Sequence, residues 1–168
     1  MNIFFKFSLI IFFLVGCNPM ASEYISIRPP NPLYQAVEKI GLDERIDRQT
    51  IKEYTGVDPV RTEWCAAFIN AVLEESGIPS NNDHKYPLTA RAFLDWGSKV
   101  SKEDIRPGDI VIFPRGNQGW QGHVGFYLET IIIGDVTYYS ILGGNQSNKV
   151  SIELYKKSSV LGIRRYEL

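Results

Sequence analysis

With 168 residues, the chain is long enough for one domain with its own core and too short for two once an export segment is set aside. Apolar residues make up 44% and charged residues 22%, which excludes disordered and collagen-like chains. A formal net charge of -1 lacks the basic excess that offsets phosphates, so nucleic acid is not an expected partner.

Residues 1–16 read MNIFFKFSLIIFFLVG, with Lys6 and the amino terminus as the only positive charges. Phe7 to Val15 is apolar except for Ser8, which is shorter than the ~20 residues that span a bilayer and fits the core of a signal peptide. The segment ends in Leu14-Val15-Gly16-Cys17, which resembles the lipobox of bacterial lipoproteins. That resemblance implies removal of residues 1–16, a lipid on Cys17 and attachment to a membrane. In a Gram-negative cell it implies the periplasmic side of the outer membrane, since Asn18 is not the aspartate of inner-membrane retention. Residues 17–32 contain four prolines and form a tether, leaving 33–168 as the folded domain. A lipid on Cys17 would leave Cys65 without a disulfide partner.

In chain order, Leu33 to Gly41 predicts a short amphipathic helix, and Arg48 to Gly56 a second one, each ended by glycine. Thr62 is the expected N-cap of a longer helix, TEWCAAFINAVLEESG, with Cys65, Phe68, Ile69, Val72 and Leu73 on one face. Ser80 to Leu88 is a polar loop, and Thr89 precedes a further short helix. Pro107-Gly108-Asp109 then turns into the strand IVIF, with Asp109 initiating the turn. The glycine-rich RGNQGWQG leads to HVGFYLE, and IIIGDVTYYSIL predicts two strands about Gly134-Asp135. Val150 to Tyr155 and Leu161 to Tyr166 are weaker strand candidates. Helices followed by an antiparallel meander make the expected fold class α+β.

Three residues could carry chemistry together. Cys65 lies at a helix start, where unpaired backbone N–H groups favour a thiolate, although an apolar helix face also suits a small buried cysteine. His123 is one of two histidines and opens a strand. Alternation sets His123, Gly125 and Tyr127 on one face and Val124, Phe126 and Leu128 on the other. A cysteine nucleophile needs a base near it in space, and the base needs a third group to fix its tautomer. Asn145, in Gly143-Gly144-Asn145-Gln146 at the end of the neighbouring strand, could accept from the imidazole; the same tetrapeptide is also a good turn.

The ordered blocks WCAAFINAVLEESGIP, PGDIVIF, GHVGFYLE and LGGNQSNKVSIELY resemble the CHAP family of cysteine, histidine-dependent amidohydrolases and peptidases, relatives of NlpC-type cell-wall peptidases. The resemblance implies a papain-like core of N-terminal helices packed on an antiparallel sheet. It places the nucleophile at Cys65, the base at His123 and the orienting polar residue at Asn145. Gly143 and Gly144 stand where many members carry an acidic residue. It further implies hydrolysis of amide bonds in peptidoglycan stem peptides, without a cofactor, by a monomer whose membrane contact is the lipid anchor.

Trp64 and Trp120 flank this chemistry and are candidate substrate-groove residues, core packing being the stronger alternative for Trp64. His84 sits in the polar loop and is expected to be solvated. Cys65, His84 and His123 lack zinc-site spacing, and Asp58 and Glu63 are too sparse for the calcium loop of some family members, so no metal is expected. Two rival functions share this scaffold: a non-catalytic envelope lipoprotein that binds wall peptides, and an acyltransferase or transpeptidase.

Overall fold

The computed structural model describes residues 31–167; the signal-like segment, Cys17 and most of the tether lie outside the described residues. Among the described residues, no helix is long and apolar enough to cross a membrane.

Three helices come first: α1 (Leu33–Glu38), α2 (Arg48–Thr55) and α3 (Cys65–Glu75). The helix expected to be capped by Thr62 begins two residues later. Asp58 explains the delay. Its carbonyl accepts from the N–H groups of Arg61 and Thr62, and its carboxylate pairs with Arg48 on α2, holding 58–62 as a turn. Trp64 is therefore the N-cap and Cys65 the first helical residue. Gly56 ends α2 at φ 75°, a left-handed conformation that suits a residue without Cβ.

Helix α3 is buried around most of its girth. Beyond the expected apolar face, Ala66, Ala67 and Asn70 are also buried. Asn70 meets the cost of burial by donating to the Pro87 carbonyl and accepting from the Asn81 N–H, which fastens the 80–88 loop to the helix. A short 3-10 helix, Ala90–Asp95, follows that loop and adds Phe93 to the core.

The sheet is antiparallel at every pairing, in the order β1-β6-β2-β3-β4-β5. Its strands are β1 (Ser98–Lys99), β2 (Ile110–Pro114), β3 (Gly122–Ile133), β4 (Val136–Gln146), β5 (Lys149–Lys156) and β6 (Gly162–Arg165). HVGFYLE and the following isoleucines form one continuous strand, and β1 is too short to have shown a period. Helices on an antiparallel sheet make the fold α+β.

Alternation along β3 holds. Val124 and Phe126 join Ile110, Ile112 and Leu142 beneath α3, with Leu128 packed against them, while Tyr127 joins Val111, Phe113, Tyr139 and Ile141 on the second face. Asp109 does more than start a turn. It is buried, and Arg165 donates to it from both Nε and Nη2 at 2.7 Å, tying the start of β2 to the end of β6.

Candidate active site

The position of Cys65 follows from packing at the start of α3. Trp64 is fully buried, its ring edge against Phe68 and its Nε1–H donating to Glu44 at 3.4 Å. It anchors the helix start from inside, the core-packing alternative, and does not line a substrate groove. Gly144 makes this approach possible, because a Cβ there would lie 2.6 Å from Trp64 and 2.7 Å from Phe68.

Cys65, 3% exposed, thus sits where the first turn of α3 meets the start of β3. The backbone N–H groups of Ala66 and Val124 lie near enough to favour its thiolate, and Val124 directly follows His123. Burial pushes the thiol's pKa up. The Arg115 charge and those two N–H groups oppose the rise, and Glu63 adds to it.

His123 is also buried. Its ring stacks on Tyr155 with centroids 5.2 Å apart, and Tyr155 stacks on Phe113 at 4.6 Å. Burial and the nearby Arg115 charge lower the imidazole's pKa to about 4, against a small upward pull from Gln146. Burial thus favours the neutral form of both groups.

The imidazole's partner is Gln146, not Asn145. Gln146 Oε1 lies 2.9 Å from His123 Nε2. Its Nε2 donates to the carbonyls of Ser151 at 2.6 Å and Ile141 at 3.2 Å, so the amide can be placed only one way round. With an acceptor oxygen facing it, His123 Nε2 must carry the proton, and Nδ1 holds the free lone pair. Nδ1 is buried and has no hydrogen-bond partner among the described residues.

Asn145 turns the other way. It sits at φ 56°, and the β4–β5 register shifts between Gly143 and Gln146. Its amide Nδ2 donates to Glu63 at 2.5 Å instead. Asparagine tolerates left-handed backbone unusually well, which marks Asn145 as the conformational residue of the tetrapeptide and Gln146 as its chemical one.

One cleft, of about 260 Å³, reaches Cys65. Trp120, 65% exposed, lines it with Arg115, Thr89 and Gln121. Sequence reasoning missed Arg115, whose only signal was a cation just beyond a buried strand. His84 lies in a neighbouring cleft that Thr89 and Trp120 also line, accepting from the Tyr86 N–H and 3.7 Å from Asp95. The cleft that reaches Cys65 does not include it. Among the described residues, no cluster of three or more His, Cys, Asp or Glu side chains could hold a metal ion.

No curated protein matches the sequence. Among solved structures, an NlpC/P60 family protein from Bacillus cereus ATCC 10987 is similar at 21% identity and a TM-score of 0.38. The likeness covers 61% of this chain and 31% of that one, so the chain spans about a third of that protein's length. The CHAP domain model matches residues 57–145, from before α3 to the residue preceding Gln146. Because that match takes in more than half of the sequence, the chain belongs to the CHAP domain family.

Proposed function

We propose that this protein hydrolyses amide bonds of peptidoglycan stem peptides through an acyl-enzyme on Cys65. One observation carries the reading. Cys65 opens α3, which packs on the β3 strand that carries His123, and Gln146 fixes the imidazole so that Nδ1 is the free base. As Cys65 attacks the carbonyl carbon, its proton passes to Nδ1. The Cys65 backbone N–H, at the first helical position and so without an intrahelical partner, stabilises the oxyanion. The imidazolium then protonates the leaving amine, a thioester remains, and water activated by His123 releases the acid. Gln146 supports the imidazolium throughout, because its oxygen accepts from Nε2–H.

Family membership supports the cell-wall substrate. The lipobox-like sequence supports a lipid on Cys17 and action on wall close to the membrane, on the periplasmic side of the outer membrane in a Gram-negative cell. The test is digestion of purified peptidoglycan with product masses read out. Cys65→Ser and His123→Ala should fold and release no fragments, while His84→Ala should remain nearly as active as the parent. Retained activity in Cys65→Ser overturns the cysteine mechanism.

The burial of Cys65 also suits a non-catalytic wall-peptide binder. On that reading the parent protein binds stem peptides and releases nothing, and Cys65→Ser binds them equally well.

A further inference from the structure

The cleft that reaches Cys65 has an uneven chemistry. One wall is Trp120, Leu88 and Ala90; the other carries the guanidinium of Arg115, at the first position after β2. Nη2 of Arg115 donates to the Asn145 carbonyl at 2.9 Å, which holds the group in place. Nη1 is buried without a hydrogen-bond partner among the described residues. Glu63 stands 3.6 Å from it, close enough to offset charge but not to bond, and the same Glu63 oxygen accepts from the Asn145 amide. A fixed guanidinium with an unused N–H, beside an aromatic wall and the nucleophile, is arranged to receive an anionic oxygen. At about 260 Å³ the cleft falls below the ~300–1,000 Å³ of pockets that hold whole small molecules, which suits a short stretch of peptide.

We propose that Arg115 is a specificity residue that binds a carboxylate of the peptide substrate next to the scissile amide, with the adjoining apolar part of the peptide on Trp120. The inference rests on the hydrolase reading for the identity of the peptide, but it concerns binding and can be tested without turnover. Glu63, exposed over 80% of its side chain, acts as a movable counter-charge that the substrate carboxylate displaces. The carboxylate could be the peptide's terminal one or an internal side-chain one.

The experiment uses wall stem peptides in three forms: all carboxylates free, only the terminal carboxylate amidated, and only the internal carboxylates amidated. Affinities are measured calorimetrically on Cys65→Ala, alone and combined with Arg115→Gln or Glu63→Gln, and turnover is measured in the same series with Cys65 intact. One of the two amidations should weaken binding about tenfold or more, as expected for losing a charge-assisted hydrogen bond, and thereby identify the carboxylate. Arg115→Gln should abolish that discrimination while leaving affinity for the amidated form unchanged, and Glu63→Gln should tighten the free form. The charge of Arg115 also reaches Cys65 and His123, so a purely electrostatic role would lower turnover of all three peptides alike with no change in relative affinity. That result, or equal affinity of the parent for all three forms, or no binding of any, overturns the proposal. Discrimination in binding without cleavage by the Cys65-intact protein would instead overturn the hydrolase reading and leave Arg115's role standing.

Discussion

Gln146 and His123 are joined by a 2.9 Å hydrogen bond in which only one polarity is possible, because the amide nitrogen of Gln146 is already committed to the Ser151 and Ile141 carbonyls. The bond fixes the tautomer of the imidazole and the plane of its ring, with Tyr155 stacked against one face. Gln146→Ala should therefore lower kcat by 10- to 100-fold or more with little change in KM, about 1.5–3 kcal/mol of transition-state support, as expected for a bond to a group that becomes charged. Asn145→Ala removes the link to Glu63 and should cost turnover far less. Steady-state kinetics on a soluble stem-peptide substrate separate the two; equal losses would mean that the 145–146 segment acts only as a unit.

The pH dependence follows from the burial of His123. Its pKa is lowered from 6.5 to about 4 by desolvation first and the Arg115 charge second. The imidazole is thus neutral, and competent as a base, well below the usual histidine range. The acid limb of kcat/KM should fall near pH 4 to 5, not near 6.5, and Arg115→Gln should move it upward. Stability follows the same group. In the unfolded chain His123 takes up a proton below about 6.5, so the folded state loses stability as pH falls from there toward 4 and no further from this residue below it, on the order of 3 kcal/mol in all. Denaturant melts of the parent and of His123→Ala across pH 7 to 4 test this, since the variant should lack that part of the slope.

Buried Asp109 and half-buried Arg165 form a second polar pair with a sharp consequence. The carboxylate also accepts from the Arg106 N–H at 2.7 Å, so it holds a turn and a strand end at once. Asp109→Ala removes these bonds, while Arg165 keeps its bond to the Asp104 carbonyl and some contact with solvent, and should destabilise the fold by about 1–3 kcal/mol. Turnover per folded molecule should hardly change, because Asp109 faces a different cavity from Cys65. Urea denaturation with activity corrected for the folded fraction decides it.

Much of this architecture was legible because strong periods mark the elements that build it. The apolar spacing of α3 and the alternation of β3 located Cys65 and His123 and assigned the two faces of the sheet correctly. What escaped the sequence depends on contacts between distant segments. The start of α3 is set by Asp58 pairing with Arg48, which no local propensity reveals. The choice between Asn145 and Gln146 turns on one left-handed φ angle and a register shift against β5. For Trp64 the sequence favoured core packing over a groove, but not what it packs on, which Gly144 and Phe68 decide. Arg115 was invisible for the same reason, since its meaning comes from Glu63 and Asn145 rather than from its neighbours in sequence.

Gly144 gives the last prediction, because there stability and catalysis should be lost together. A methyl group at this position would lie 2.6 Å from Cζ3 of Trp64 and 2.7 and 2.8 Å from Cβ and Cγ of Phe68. Both aromatic residues are fully buried, so neither can swing into solvent to relieve the overlap. The strain must move either the start of α3 or the end of β4, which carry Cys65 and Gln146. Overpacking of this kind costs about 1–3 kcal/mol. A displacement of the nucleophile by roughly an ångström can lower turnover on the order of 100-fold. Gly134→Ala is the matched control. Gly134 lies in the β3–β4 turn at φ 57° with nothing within 4 Å of the added methyl, so its cost is backbone strain alone, about 1 kcal/mol, remote from the site. Melting curves and peptide turnover measured on both variants should show comparable destabilisation, with catalysis lost only in Gly144→Ala; full activity in that variant would show that the approach of Trp64 and Phe68 to β4 does not position Cys65.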